Sequence, residues 1–352
     1  MKNIYVLAII FFFLGCDSDK PTLVLEDPIV EKPAVVMVDN TKHIIYDNDH
    51  FDPDWVIGLD TVMELQKRGV ITVDAIMITG TDAYGKAGMK YNAIVKYYGF
   101  DIPIGINHRT AMRTTPDDAS KRFPALDSRY TGKHRDITEF PTDGLLDKDR
   151  QGSVELLCSV LKDAKDKSIT YIVGGHLQNF SDLLKETAIC NGYELIHSKM
   201  KELVISTGGI GGKPEMNLSE GRYDVTEASR ATNYVFANTA IPVLVTFPYK
   251  ASNRRPGDIY LQHKINSPMA FIIAVPRYGT YGDRRISDNA AIMAGVYGTN
   301  LHGNEYVIKK KVCFQPTKYG ALKFGSCDKE HYLMDRMNVD IVGDYTIELL
   351  TP

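Results

Sequence analysis

The sequence predicts an α/β fold, with a mostly parallel central sheet covered by helices on both faces, as in Rossmann-like open sheets. Two observations carry this prediction. Short runs of β-branched and aromatic residues alternate along the chain with stretches whose apolar residues have helical spacing. Polar or glycine-rich turns follow several of these runs, and open α/β sheets bind ligands at the carboxyl ends of their strands. With 352 residues, the chain can bury one large core or two smaller ones.

The N-terminus has the pattern of a targeting segment. A short positive region precedes the apolar run Ile4–Leu14, which is too short to span a bilayer as a helix. Because Leu14-Gly15-Cys16 resembles the end of a bacterial lipoprotein signal, residues 1–15 are predicted to be removed and Cys16 to carry a lipid. An ordinary secretory signal cut elsewhere is the alternative. Residues 16–41 predict a flexible tether, so the protein is expected to be lipid-anchored in the bacterial cell envelope.

Residues 42–352 are predicted to form one domain of alternating strands and helices. The predicted strands are Ile44–Tyr46, Ile71–Thr79, Ile102–Ile106, Ile169–Val173, Leu203–Ser206 and Pro242–Pro248, and the predicted helices are Trp55–Lys67, Lys86–Tyr98, Ser153–Lys165, Phe180–Thr187, Thr226–Asn238, Met269–Ala274 and Ser287–Val296. Residues 107–150 interrupt this alternation with prolines and charges, and an insertion of that length predicts a lid-like loop. The tail after Tyr306 predicts a β-hairpin and a final helix or strand.

Charge and cysteine content limit the classes of partner and site. The net charge is −3 and no basic block occurs, so a nucleic acid is not an expected partner. No C-x-x-C pair is present, which argues against a zinc site. Cys158 lies in an apolar helical pattern and is predicted to be a buried small hydrophobe. Cys313 and Cys327 flank a predicted hairpin, Phe314–Gly325, and in an exported protein they are either a disulfide or two free thiols.

The strongest chemical signal is an acidic cluster that follows the first strand. Four carboxylates lie within eight residues there, at Asp47, Asp49, Asp52 and Asp54. Carboxylates so close together repel one another unless a cation lies among them, and Ca²⁺ prefers several such oxygen ligands. A solvated acidic turn is the alternative, but the position at a strand end favours a binding site.

Together with later segments, this cluster resembles the inosine–uridine-preferring nucleoside hydrolase family, with coverage from about Ile44 to about Leu350. In that family the first strand ends in D-x-D-x-x-x-D-D, which helps to hold Ca²⁺ and supplies a general base. Asp47-Asn-Asp49 matches the opening of this motif. The second pair of aspartates is altered. If the motif is aligned without a gap, Asp54 takes the last position and Pro53 replaces the carboxylate before it. If one gap is allowed, Asp54 takes the first position of the pair and Trp55 replaces the second carboxylate.

Two further segments resemble strand ends of the family. Val70–Thr81 is similar to the second-strand segment that ends in A-G-N, with Thr81 where the family has an asparagine that reaches ribose. Ile169–Asn179 is similar to the turn T-G-P-L-T-N, in which a backbone carbonyl binds calcium. Gly174 stands at that carbonyl position, and Asn179 ends the turn.

Two later segments complete the resemblance. Glu215-Met-Asn217 is similar to the family's E-F-N, whose Glu and Asn hold ribose hydroxyls. Arg285–Ala291 is similar to the helix start H-D-P-x-A, and Asp288 matches its calcium aspartate. Ser287 stands where many members have a histidine that helps to protonate the leaving base.

The resemblance implies Ca²⁺-dependent hydrolysis of the N-glycosidic bond of ribonucleosides or related N-ribosides. The implied metal ligands are Asp49, Asp54, Asp288 and the carbonyl of Gly174. Asp54 is implied to be a metal ligand or the base, and Asp52 is the reserve base. The remaining candidates are substrate contacts, namely Asp47, Thr81, Asn179, Glu215, Asn217 and Ser287.

The differences from the family motifs leave other functions open. The altered carboxylate pair, Thr81 and Ser287 favour a non-catalytic or repurposed ribose- or nucleoside-binding surface lipoprotein. A hydrolase for a different glycoside is a third reading. The missing leaving-group acid has only loop residues as candidate substitutes, namely His50, His108, Tyr130 and His134. The expected partners are a small-molecule riboside and the membrane, and a homo-oligomer is left open.

Overall fold

Alternating strands and helices make up the part of the chain described by the computed structural model, which comprises residues 41–49, 54–81, 85–109, 112–113, 137–206, 225–246, 256–273, 286, 288–326 and 328–352. The strands are β1 Lys42–Asn48, β2 Ile71–Ile78, β3 Gly80–Thr81, β4 Ile104–Ile106, β5 Met112–Arg113, β6 Ile169–Val173, β7 Met200–Ser206, β8 Val243–Thr246, β9 Asn300–Leu301, β10 Asn304–Glu305, β11 Ile308–Val312, β12 Phe314–Pro316, β13 Leu322–Phe324 and β14 His331–Asp335. The helices are α1 Asp54–Lys67, α2 Ala87–Tyr97, α3 Ser153–Asp163, α4 Gln178–Lys185, α5 Gly192–Lys199, α6 Val225–Asn238, α7 Gly257–His263, α8 Pro268–Ile273, α9 Asn289–Tyr297 and α10 Val339–Leu350. Short 3-10 turns lie at Ile137–Glu139 and Asp147–Asp149.

Eight strands form the central sheet, in the order β11-β14-β8-β7-β6-β1-β2-β4. All neighbours pair in parallel except β11 and β14, which are antiparallel. This arrangement confirms the predicted α/β class with a mostly parallel sheet. Because β1 and β6 are adjacent near the centre, the turns that follow them open at the same edge of the sheet.

Helices cover both faces of the sheet, and each face has its own apolar core. Residues alternate between the faces along each strand; thus Ile44 and Tyr46 join one core and Ile45 joins the other. The first core packs against α1, α2, α8, α9 and α10, and the second packs against α3, α4, α5 and α6. The two cores fix the strand register, since a slip of one residue would exchange the faces.

The predicted elements are largely confirmed, with shifts of a few residues at their ends. The strand Ile169–Val173 has the predicted bounds, and the tail contains the β12–β13 hairpin and the final helix α10. Periodicity missed α5 and α7, which have eight and seven residues. Helices of two turns give too few apolar repeats for a periodic signal.

The lid-like insertion is held to the domain at its C-terminal end. Asp147 accepts hydrogen bonds from the backbone N–H groups of Ala87 and Gly88 at the start of α2, at 3.0 and 2.7 Å. The backbone N–H of Asp143 donates a hydrogen bond of 2.8 Å to the Asn92 side chain of α2, and the buried Arg150 donates two hydrogen bonds to the Asp143 carboxylate. These contacts anchor the C-terminal end of the insertion.

The cysteine prediction needs one correction. Cys158 is not a free thiol in the core, because it forms a disulfide with Cys190. Packing of α3 against α5 brings their Cα atoms to 5.9 Å although 32 positions separate them, and sequence spacing gives no signal for such a pair. Cys313 is also disulfide-bonded, whereas its predicted partner Cys327 lies outside the described residues.

Thr41–Pro352 forms a compact unit. The predicted signal peptide and nearly all of the tether lie outside the described residues. Among the residues that are described, no helix combines the length and the apolar character needed to cross a membrane.

Candidate functional site

The carboxyl ends of β1 and β6 bring two of the predicted motifs side by side. The strand register pairs Asp47 with Val173, so the next residues, Asn48 and Gly174, lie next to each other at the sheet edge. Asp288 precedes α9, which packs on the face of the sheet that Asn48 occupies. The site therefore forms where a strand end, a turn and a helix start meet.

Asp288 is directed towards this edge and does not cap its own helix. Its side chain makes no capping hydrogen bond to α9, and its carboxylate accepts a hydrogen bond of 2.7 Å from the Asn48 amide. A Cβ at Gly174 would lie 2.8 Å from the Asp288 carboxyl carbon, so only glycine allows this approach. The structure thus brings together two of the predicted metal ligands, Gly174 and Asp288.

Asp49 follows β1 and is nearly buried. Its backbone carbonyl accepts a hydrogen bond of 2.6 Å from the Tyr91 hydroxyl, and its Oδ2 lies 3.9 Å from Nε2 of the buried His176. A side chain at Gly175 would clash with the Asp49 backbone nitrogen. The turn after β6 therefore packs directly against the end of β1.

The negative charges of Asp49, Asp54 and Asp288 all act on Tyr46. Burial raises the pKa of Tyr46 well above its usual value, and the negative charge of Asp288 is the next cause. A hydrogen bond from Asn48 opposes this rise, while Asp54 and Asp49 add to it. Asp54 is the first residue of α1. Carboxylates from the acidic cluster after β1 and from the residue before α9 thus act on one buried hydroxyl.

Asp47 and Asn179 are both fully buried and bonded to each other. Asn179 donates a hydrogen bond of 2.9 Å to Asp47, which also accepts from Tyr171 and Thr79. Asn107 donates to the Asn179 side-chain oxygen at 3.0 Å. Burial raises the pKa of Asp47 to about 7, although its three hydrogen bonds oppose the rise. This network ties the turn after β6 to the ends of β1 and β2.

The other predicted site residues divide into two groups. Thr81 lies in β3 and pairs through its backbone with Arg113 of β5, at the start of the insertion. His108 bonds to the Arg150 backbone carbonyl at 3.0 Å. The remainder lie outside the described residues, namely Asp52, Glu215, Asn217 and Ser287, together with His50, Tyr130 and His134.

The donors at this edge are of the type that calcium prefers. Asp49, Asp54 and Asp288 offer carboxylate oxygens, and Gly174 offers a backbone position pressed against Asp288. Within the ranges that the structure describes, no three His, Cys, Asp or Glu side chains form a metal-binding group. A calcium site here would therefore combine carboxylates with the Gly174 carbonyl. The fit rests on the kind of donor and on the space that Gly174 leaves.

Sequence reasoning missed three residues that shape the site. Asn48 and Tyr46 are joined by a hydrogen bond of 2.5 Å beneath Asp288, and a side chain at Gly58 of α1 would clash with the Tyr46 hydroxyl. The sequence pattern predicts Tyr46 only as an apolar strand residue. The sequence does contain one signal for these residues. Tyr46 and Asn48 are polar and two positions apart in β1, so their side chains lie on the same face of the sheet, the face that Asp288 approaches.

Comparison with known proteins gives a likeness of structure. No protein-family model matches the chain, and no curated protein sequence matches it. The inosine-uridine preferring nucleoside hydrolase from Bacillus anthracis superposes with a TM-score of 0.58 at 15% identity, covering 88% of this chain and 99% of that one. An inosine-guanosine nucleoside hydrolase gives a TM-score of 0.58 at 13% identity, with the same coverage.

A third similar structure is the type III effector protein XopQ complexed with adenosine diphosphate ribose. Its TM-score is 0.56 at 14% identity, and the match covers 88% of this chain and 95% of that chain. Identities this low establish the fold alone. The chain therefore has a nucleoside hydrolase-like α/β fold.

Proposed function

We propose that this protein hydrolyses the N-glycosidic bond of ribonucleosides or related N-ribosides with the help of Ca²⁺. The observation that carries the proposal is the close approach of Asp288 to Gly174 at the end of β1, where Asp49 follows the strand, in a nucleoside hydrolase-like sheet. Two proteins of the same fold are nucleoside hydrolases and a third is complexed with adenosine diphosphate ribose. The names of the two hydrolases refer to nucleosides, and the ligand of the third contains ribose, which supports a riboside as the ligand.

Calcium would be held by Asp49, Asp54, Asp288 and the Gly174 carbonyl. When bound, it supplies positive charge that orients the attacking water and the sugar hydroxyls. Asp54 begins α1, where it is partly exposed and so able to meet a water molecule. We assign it the role of general base, with Asp52 as the reserve. Glycosidic cleavage passes through an oxocarbenium-like state, and nearby carboxylates stabilise its positive charge.

Different residues are proposed to contact the sugar and the leaving base. Glu215, Asn217 and Thr81 are proposed to bind ribose hydroxyls. Asp47 and Asn179 support the site from below, because both are buried and bond to each other. Ser287 replaces the histidine that the resemblance implies, so a leaving base that requires a proton departs slowly.

Free sugar released in the presence of Ca²⁺ tests the proposal. An activated substrate, such as a nitrophenyl riboside, should react about 10²–10⁴-fold faster than a natural nucleoside, because this is the usual range of general acid assistance. Ser287→His should reduce this difference in rate between the two substrates. Asp54→Asn should abolish turnover of both substrates, because it removes the base.

The metal is tested separately by calorimetry. Calcium should raise the melting temperature of the wild type, and Asp288→Ala should abolish this rise because it removes one of the few negative ligands. The matched control is Asp340→Ala, at an exposed carboxylate in the first turn of α10. Ribose binding without turnover of even the activated riboside would contradict the hydrolase and leave the binding-protein alternative.

The location is proposed with the function. A lipid on Cys16 would anchor the protein in the bacterial cell envelope, where a riboside could reach it from outside. The Cys158–Cys190 disulfide supports this proposal, since disulfides persist mainly in oxidising compartments.

A further inference from the structure

We propose that Asn48 is a positioning residue that holds Asp49 and Asp288 at the separation a shared cation requires. The inference rests on the proposed function, since it assigns a task to a residue beneath the proposed calcium ligands. Asn48 occupies the variable middle position of Asp47-Asn-Asp49, a position to which the motif gives no role. Its side chain joins the end of β1 to Asp288, which lies 240 residues further along the chain. We call the hydrogen bonds of Asn48 to Asp49, Asp288 and Tyr46 the clasp.

Each end of the Asn48 amide meets one of the two carboxylate residues. The side-chain oxygen accepts a hydrogen bond of 2.8 Å from the backbone N–H of Asp49. The side-chain nitrogen donates to Oδ2 of Asp288 at 2.7 Å and to the Tyr46 hydroxyl at 2.5 Å. Only an amide offers an acceptor and two donors on one short side chain.

These partners fix which way the amide points. An N–H group must meet an oxygen, so the Asp49 backbone N–H requires the oxygen of Asn48 on its side. The nitrogen is then directed at Asp288, and Oδ2 of that carboxylate accepts its hydrogen bond. Asn48 and Asp288 are 1% and 4% exposed, so water does not compete with their bond. In such a place the bond is stronger than at the surface.

Packing leaves the clasp little room to move. A Cβ at Gly174 would lie 2.7 Å from the Asn48 side-chain nitrogen, and one at Gly58 would clash with the Tyr46 hydroxyl. Two glycines thus close the space on either side. The Asp288 carboxylate is held in one orientation before any cation arrives, and groups that orient metal ligands in this way usually contribute 10–100-fold to metal affinity or activity.

Calcium affinity of the full-length protein, measured by titration calorimetry, tests the clasp without any substrate. Asn48→Leu is close in size and loses both ends of the amide, so calcium affinity should fall about 10–100-fold. Tyr46→Phe removes one acceptor but leaves the bond to Asp288, so its loss should be about 2–10-fold, the usual range for one hydrogen bond. That variant serves as the test if Asn48→Leu does not fold.

Asn289→Leu is the matched control. Asn289 is also a buried asparagine and directly follows Asp288, but its amide donates to Thr61 and Thr346, away from the clasp. It should lower the melting temperature and leave calcium affinity unchanged. Wild-type affinity in both Asn48→Leu and Tyr46→Phe would overturn the clasp while the proposed function stands, as would an equal loss in Asn289→Leu. A wild type that binds no calcium would overturn both proposals.

Discussion

At the scale of single residues, burial determines the protonation of side chains that the sequence shows only as polar. His331 begins β14 and is almost fully buried, and its Nδ1 accepts a hydrogen bond of 3.1 Å from the backbone N–H of Phe314. Burial, with a smaller effect from the charge of Lys329, lowers the pKa of His331 to about 4. The folded protein therefore holds this imidazole neutral.

A neutral buried histidine predicts a loss of stability in acid. The unfolded chain takes up a proton at His331 near pH 6.5, whereas the folded chain takes it up only near 4. Because the unfolded state binds more protons in this window, stability should fall as the pH is lowered from about 6.5 to about 4. His331→Asn keeps an acceptor near the Nδ1 position and cannot titrate, so its slope should be shallower. Urea denaturation across this pH range measures both slopes, and equal slopes would contradict the assignment.

At the scale of elements, a buried ionic network joins α1 to the residues after α7. Lys264 contacts Asp60 at 2.9 Å and Glu64 at 3.4 Å. The hydroxyls of Tyr98 and Tyr260 also donate to Asp60. Burial raises the pKa of Asp60, while the charge of Lys264 and these hydrogen bonds oppose the rise. The network fixes the middle of the helix whose first residue is Asp54.

Removal of one partner from this network should be costly. Lys264→Met leaves the buried Asp60 without its cation, and breaking a buried pair in this way usually costs about 3–5 kcal/mol. Asp60→Leu combined with Lys264→Met should cost less than the sum of the two single changes, because Asp60 is then no longer left buried without its cation. Urea denaturation of the four proteins in the cycle gives the coupling. Additive losses would show that the pair does not interact.

At the scale of the whole molecule, the proposed site and the proposed anchor belong to different parts of the chain. The folded unit carries the proposed site, and the N-terminal segment carries the proposed anchor at Cys16. A lipid on Cys16 would place the site outside the cytoplasm without any change in the fold.

Cys16→Ser tests the anchor. If the thiol carries a lipid, the variant should move from the membrane pellet to the soluble fraction, because serine provides no thiol for the attachment. Ser18→Ala changes a nearby residue, keeps the thiol and should stay with the membranes. Membrane association that survives Cys16→Ser, or a mature N-terminus other than residue 16, would rule the anchor out.

The sequence by itself determined the class of fold and the order of its main elements. Periodicity of two or about 3.6 residues is a local property, so strands such as Ile169–Val173 and helices such as α1 were predictable from side chains alone. The acidic cluster after β1 and the aspartate at the start of α9 were visible for the same reason. Short elements such as α7 gave no such signal.

Only the tertiary structure decided which of these residues meet. The sheet places β6 beside β1, and this adjacency brings Gly174 against Asp288 and gives Asn48 its two partners. The pairing of Cys158 with Cys190 likewise depends on helix packing. Contacts between distant segments arise from burial of complementary faces, and burial depends on all the elements at once. The candidate carboxylates were therefore predictable from the sequence, whereas the contacts of Asn48 with Asp49 and Asp288 became visible only in the folded structure.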